Sequence, residues 1–346
     1  MTAHIHAIGT AVPARDVHHD FIGWASARLE TRERAVFERM AMRSGIESRW
    51  SVLDDPIAPD GFYASAMPAT SERMMAYARE APELALAAID RLAEQEPLGD
   101  ITHLVVASCT GFVAPGIDQI IARRLGLDGS VERTLVGFMG CYAAVSALRV
   151  AHHIARSDPQ ARILVVTVEL CSLHLQEVAE IEPLLAMLQF ADGAAAALVS
   201  AEPRGLAIDR FFAATLPDSA ELIRWDIGDE GFVMHLSGEV PGRITQALAT
   251  ADMRRAILGN RTAGELSGWA VHAGGRSVLD AVEHGLGLGA SALAASREVL
   301  RRCGNMSSST LLFALAALMA GPAPVDGIAI AFGPGLAAEG FAIASL

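Results

Sequence analysis

From Ile101 onward the chain alternates short apolar runs with amphipathic ones: ITHLVVASC, IDQIIARRLGL, VERTLVG, a helix-forming run that starts at Cys141, and ARILVVTVEL. Strands that are apolar on both faces must be covered on both faces, and a helix between two of them joins parallel neighbours, so the pattern predicts a mostly parallel sheet with helices on either side. LQFADGAAAALVSAEP then reads as a turn followed by a strand of very small residues. After Pro203 a second unit begins with LAIDRFFAAT, passes through a helix around ITQALATADMRRAIL and reaches the strand GWAVHAGG. It ends in GIAIAFGPGLAAEGFAIASL, two apolar strands around a Gly/Pro loop. Two halves of comparable mixed architecture point to a duplicated α/β fold, divided as 1–202 and 203–346. The charged helical stretch RLETRERAVFERMAMRSGIESRW and the Pro-rich loop after it make the first hundred or so residues read as an appendage to that core.

Composition narrows the function classes. With 346 residues, 52% hydrophobic and 19% charged, the chain can bury a large core. A formal net charge of -13 argues against a nucleic-acid surface, which needs concentrated Lys and Arg. Cys109, Cys141, Cys171 and Cys303 are widely spaced, form no CxxC pair and follow no secretory leader, so a reducing cytoplasm is the expected setting. The longest apolar stretch, Thr310 to Ala320, falls short of the ~20 residues a spanning helix needs. It predicts a buried core helix and no stable membrane insertion.

Three short segments carry candidate chemistry. Cys141 lies where the strand-like VERTLVG gives way to the helix-like YAAVSALRVAHHIA. A helix N-terminus presents free N–H groups and the positive end of the backbone dipole, which lower a thiol's pKa and favour the nucleophilic thiolate. A small buried cysteine is the other reading of the same residue. His272, in GWAVHAGG, ends an apolar strand beside a glycine pair, and strand ends of α/β sheets are where ligands sit. Asn305, in RCGNMSSS, lies in a polar turn before an apolar helix, where its amide can donate hydrogen bonds or cap the helix.

Taken together, GFMGCYAAVSALR, WAVHAGGRSVLDAVEHGLGL, GNMSSSTLLFAL and AFGPGLAAEGF resemble type III polyketide synthases, the chalcone synthase-like branch of the thiolase superfamily. ELCSLHLQ resembles the bacterial members, and LLAMLQFADGAAA the segment that carries a gating phenylalanine. The resemblance implies a duplicated five-layered αβαβα fold with mixed sheets, a homodimer, and Cys141, His272 and Asn305 as catalytic residues. It implies no bound cofactor and no metal; CoA thioesters are the substrates. An acyl-CoA starter would load onto Cys141, with His272 pairing the thiolate. Malonyl-CoA would then lose CO2 at an oxyanion site made by His272 and Asn305, and the enolate would attack the bound acyl group before cyclisation to a pyrone, resorcinol or phloroglucinol.

Other positions follow from the same resemblance. Phe190 would gate the CoA tunnel, and Met234 would stand where the plant enzymes have a second gating phenylalanine. Ala114, in CTGFVAPGIDQ, would sit at the tip of a loop that reaches a partner's cavity, before a Pro115 whose peptide bond can be cis. Ser307 would cap the next helix or line the cavity, Asp192 would fix a turn, and Arg43 and Arg49 fall in the CoA-phosphate segment. The family's Gly-Phe-Gly-Pro-Gly reads here Ala331-Phe332-Gly333-Pro334-Gly335, a change that costs little if Ala331 has negative φ. Met234 and Ala114 would leave a roomier cavity and favour a long-chain fatty starter. An initiating ketoacyl synthase that uses acyl carrier protein would share the three catalytic residues. A papain-like cysteine hydrolase shares their chain order, and a non-catalytic subunit shares the fold.

Overall fold

The computed structural model describes residues 2–64, 66–321 and 325–346. Nine strands form one sheet in the order Gly268–Val271, Asp326–Gly333, Ala337–Ser345, Leu206–Thr215, Ala3–Ala11, Asp192–Ser200, Arg162–Leu170, His103–Ser108, Glu132–Gly137. The order is symmetric about the antiparallel seam between Ala3–Ala11 and Leu206–Thr215. On each side the next two pairings outward are antiparallel and the third is parallel, so each half repeats one connectivity. Glu132–Gly137, parallel to His103–Ser108, is the extra strand of the first half.

Side chains alternate along each strand, and the alternation sorts them into layers. Leu104, Val106, Leu164 and Val166 face the long helix Thr70–Ala93, while Val105, Ala107, Ile163 and Val165 face inward. The inward set packs on the helices Ala143–Ser157 and Ser309–Met319, and so do Ala329, Ala331 and Phe341 from the other half. Trp269, Val271, Ile328 and Ile330 pack outward on Val240–Ala249 and Arg276–Leu286. Outer helix, one half of the sheet, the central helix pair, the other half of the sheet and its outer helices make five layers. The central pair is rich in Ala because both halves of the sheet close on it at once.

The apolar stretch of Thr310 to Ala320 is indeed a core helix, and among the described residues no helix is long and apolar enough to cross a membrane. The expectation of an appendage at the N-terminus is corrected. Ala3–Ala11 is the innermost strand of the first half and Thr70–Ala93 is its outer helical cover. Only the segment between them, with the exposed helix Thr31–Met42, sits outside the layers. A separate hairpin, Ile223–Gly228 with Gly231–Leu236, lies over the strand ends that carry the site.

Candidate active site

The Cys141 turn is built from backbone that tolerates little substitution. Phe138 has φ 54° and Gly140 φ 69°, after which a 3-10 turn, Gly140–Tyr142, runs into the helix Ala143–Ser157. A Cβ on Gly140 would collide with the Pro334 ring, and one on Gly333 would lie 2.6 Å from the Tyr142 ring and 3.4 Å from the Cys141 nitrogen. The Gly/Pro loop of residues 331–335 is therefore the mould against which the cysteine turn is pressed. Ala331 sits in the strand Asp326–Gly333 without positive φ, so alanine fits there.

His272 directly follows the strand Gly268–Val271, and its N–H donates to the Ile330 carbonyl at 2.9 Å. The side chain of Asn305 is fixed by its neighbours: the Ser307 N–H donates to Asn305 Oδ1 at 2.9 Å, and Asn305 Nδ2 donates to the Gly274 carbonyl at 3.3 Å. A backbone N–H can only donate, so the amide orientation is settled, and His272 Nε2, 3.1 Å from the same Oδ1, must carry its proton. Ser307, at φ 46°, turns its hydroxyl to donate to Cys141 Sγ at 3.7 Å. Strained non-glycine backbone of this kind collects at functional sites.

Cys141, His272 and Asn305 all line one cavity of about 340 Å³, together with Phe190, Met234 and Phe332. Burial pushes the Cys141 thiol up to about 12, against a smaller downward pull from the Ser307 hydroxyl. Burial likewise brings His272 down to about 4. Desolvation of the Cys141 sulfur thus opposes the lowering expected at a helix N-terminus.

Two neighbouring spaces adjoin this cavity. An open groove of about 530 Å³ shares Met40, Leu185, Gln189 and Ser277 with it and carries Arg43 and Arg276 at its rim. On the far side a pocket of about 180 Å³, lined by Phe21, His174, Trp225 and Phe232 among others, shares only Phe190 and Met234 with the cavity. Phe190 and Met234 therefore form the partition between the two.

The remaining expected residues divide. Ser307 touches Cys141, and Asp192 is buried at the start of a strand, where it accepts from Ser172 and Val52. Ala114 is exposed at its loop tip, away from the cavity of its own chain, and the Ala114–Pro115 bond is cis. Arg49 is a correction. It is 3% exposed, donates to Phe190 O at 2.7 Å, Met187 O at 3.1 Å and His18 Nδ1 at 3.1 Å, and has its guanidinium carbon 4.6 Å from the centre of the Phe21 ring. A CoA phosphate outside the protein does not reach it. Arg276, which the sequence reading missed, lines the open groove with Arg43; its position just after the His272 Gly-Gly turn was the available signal. Glu169 was also missed, although one carboxylate inside the apolar strand ARILVVTVEL is itself a sign of a buried polar network.

Residues 1–203 match the family model described as chalcone and stilbene synthases, N-terminal domain, and residues 210–346 match its C-terminal counterpart. The chain belongs to the type III polyketide synthases. This type III polyketide synthase is 30% identical to the alpha-pyrone synthesis polyketide synthase-like Pks18 of Mycobacterium tuberculosis, over 97% of this chain and 89% of that one. It is 32% identical to the bisdemethoxycurcumin synthase of Oryza sativa subsp. japonica, over 97% of this chain and 91% of that one. Its fold matches the type III domain of Steely1, a type I/III hybrid from Dictyostelium, with TM-score 0.89 at 26% identity, covering 100% of this chain and 99% of that one. PKS-I of the brown alga Ectocarpus siliculosus matches with TM-score 0.89 at 28% identity, covering 100% of this chain and 98% of that one. As a polyketide synthase, it is a condensing enzyme of the acyltransferase type.

Proposed function

We propose that this enzyme loads an acyl-CoA starter on Cys141, extends it with malonyl-CoA by decarboxylative condensation, and releases a cyclised pyrone or resorcinol-type product. The observation that carries the reading is the convergence of Cys141, His272 and Asn305 on one cavity joined to a surface groove. The proton that leaves Cys141 on attack goes to His272, the base the cavity offers. Burial disfavours each charge alone, so the ions form together and only once the thioester fills the site and its carbonyl takes up negative charge.

For the extender unit, His272 and Asn305 are the two donors. Once substrate displaces its contact with Asn305 Oδ1, the Nε2–H of His272, joined by the second N–H of the Asn305 amide on the same wall of the cavity, stabilises the enolate oxygen left by loss of CO2. An apolar lining excludes the water that would quench that carbanion. Arg43 and Arg276 attract the CoA phosphates at the groove, which supplies the local positive charge that an acidic chain otherwise lacks. The pocket behind Phe190 and Met234 supports an extended apolar starter over a compact one. The same reading makes the enzyme a cytoplasmic homodimer of chains divided at 202/203, with Ala114 facing the partner's cavity.

The test is incubation with malonyl-CoA and a panel of short, aromatic and long-chain acyl-CoAs, with mass analysis of products. Pyrones or resorcinols from fatty starters support the reading. Turnover with carrier-protein-bound malonate alone, and none with malonyl-CoA, would overturn it in favour of a ketoacyl synthase.

A further inference from the structure

The duplication that brings His272 to the cavity also brings a second thiol to its edge. His103–Ser108 in the first half and Gly268–Val271 in the second hold equivalent places, each the parallel neighbour of the next strand inward. The residue after the second is His272; the residue after the first is Cys109. Cys109 Sγ lies 3.1 Å from Ser307 Oγ, the same oxygen that donates to Cys141 Sγ at 3.7 Å. One hydroxyl group is in contact with both sulfurs. Behind Cys109 stands the buried Glu169 carboxylate, which accepts from Cys109 Sγ at 3.3 Å, from the Cys109 N–H at 3.0 Å, from Thr110 Oγ1 at 2.9 Å and from Ser308 Oγ.

The condensation chemistry gives Cys109 no part. Its sulfur is 3% exposed as a residue and is absent from the cavity lining, whereas Cys141 lines the cavity. A small oxidant that enters by the CoA groove therefore meets Cys141 first.

We propose that Cys109 is a resolving thiol that captures oxidised Cys141 as an intramolecular disulfide, a reading that rests on Cys141 being the accessible nucleophile. In the first step hydrogen peroxide gives Cys141 a sulfenic acid: the O–O bond breaks, the sulfur takes one OH, and the thiol proton leaves with the other as water. In the second step the Ser307 hydroxyl swings aside, Cys109 sulfur attacks the sulfenic sulfur, the S–S bond forms and the S–O bond breaks. The departing hydroxide takes the Cys109 proton, passed by way of Glu169, and leaves as a second water. Two thiols and one peroxide thus become one disulfide and two waters. Both side chains rotate to bring the sulfurs to bonding distance, about 2 Å. Without a resolving thiol a sulfenic acid proceeds to the sulfinic acid, which thiol reductants do not reverse.

The experiment treats the substrate-free wild-type enzyme with hydrogen peroxide, maps its peptides by mass, and measures activity before and after dithiothreitol. The expected result is a cross-link between the Cys109 and Cys141 peptides, lighter by two hydrogens, with activity restored on reduction. In Cys109→Ala and Cys109→Ser the cross-link disappears, Cys141 gains two oxygens and reduction restores nothing; Cys171→Ser keeps the cross-link. Wild-type enzyme that carries sulfinic Cys141 without any cross-link overturns the proposal, and so does a bond from Cys141 to Cys171. The wild-type map decides the matter even if the variants fold poorly. Acyl loading of untreated enzyme reads the nucleophile assignment separately.

Discussion

Phe190 and Asn305 are tied together through their main chains: the Asn305 N–H donates to Gln189 O at 2.7 Å, and the Ala191 N–H donates to Asn305 O at 2.9 Å. The partition side chain and the amide beside His272 thus move as one piece of backbone. Arg49 holds that piece from behind through Phe190 O and Met187 O. Phe190 and Asn305 share one mechanical support.

Removing the sulfur separates the two half-reactions. Cys141→Ala abolishes acyl loading but keeps measurable decarboxylation of malonyl-CoA, because His272 and Asn305 stay in place. Release of CO2 from malonyl-CoA by the purified variant is the readout. Full condensation by that variant contradicts the nucleophile assignment.

Asn305→Ala acts in the opposite sense. Loss of one oxyanion donor lowers decarboxylation by about 10²–10³-fold, with a smaller effect on starter loading. Equal losses in both steps contradict an enolate-binding role for the amide.

Arg49 and the rim arginines differ in kind. Arg49→Ala leaves buried carbonyls of the gate segment unsatisfied and destabilises the fold by about 2–4 kcal/mol, read as a lower Tm. Arg43→Ala and Arg276→Ala keep Tm and raise KM for CoA thioesters, while leaving KM unchanged for a thioester truncated to the pantetheine end. A lower Tm without any KM change at the rim sites contradicts the phosphate reading.

Stability should fall on the acid side for a defined reason. Burial holds His174 at about 3 and His18 and His272 at about 4, against an ordinary histidine value of 6.5. Depressed native values mean that the unfolded chain binds the extra protons, so the contribution is complete above 6.5 and is lost as pH falls toward 4. Calorimetry between these limits is expected to show net proton uptake on unfolding, the uptake by the named histidines being offset in part by release from Asp192 and Glu169, whose carboxyls burial raises. A Tm that stays flat from 6.5 to 4.5 contradicts this.

Much of the fold was legible because apolar strands and amphipathic helices have different periods, and the stretch from Ile101 shows both. What was missed had physical causes. Ala3–Ala11 carries HIHAIGT, whose histidines look polar although the strand is the innermost of its half. Arg49 has the composition of a surface charge, and only its burial against Phe21 and carbonyls from residues 187 and 190 shows otherwise. The desolvation of the Cys141 sulfur is hidden for a similar reason, since a helix N-terminus is visible in sequence and burial is not. Cys109 and Glu169 lie within runs that read as ordinary strands, and their link to Cys141 passes through Ser307, far along the chain.

The covalent acyl–Cys141 intermediate is the centre of the account, and one mass measurement addresses it. The enzyme is incubated with a fatty acyl-CoA in the absence of malonyl-CoA, quenched in acid and digested. The account predicts the acyl mass on the peptide that contains Cys141, absent in Cys141→Ala and discharged when malonyl-CoA is added. An acyl group found on another residue, or an unmodified Cys141 in enzyme that still makes polyketide, would contradict it.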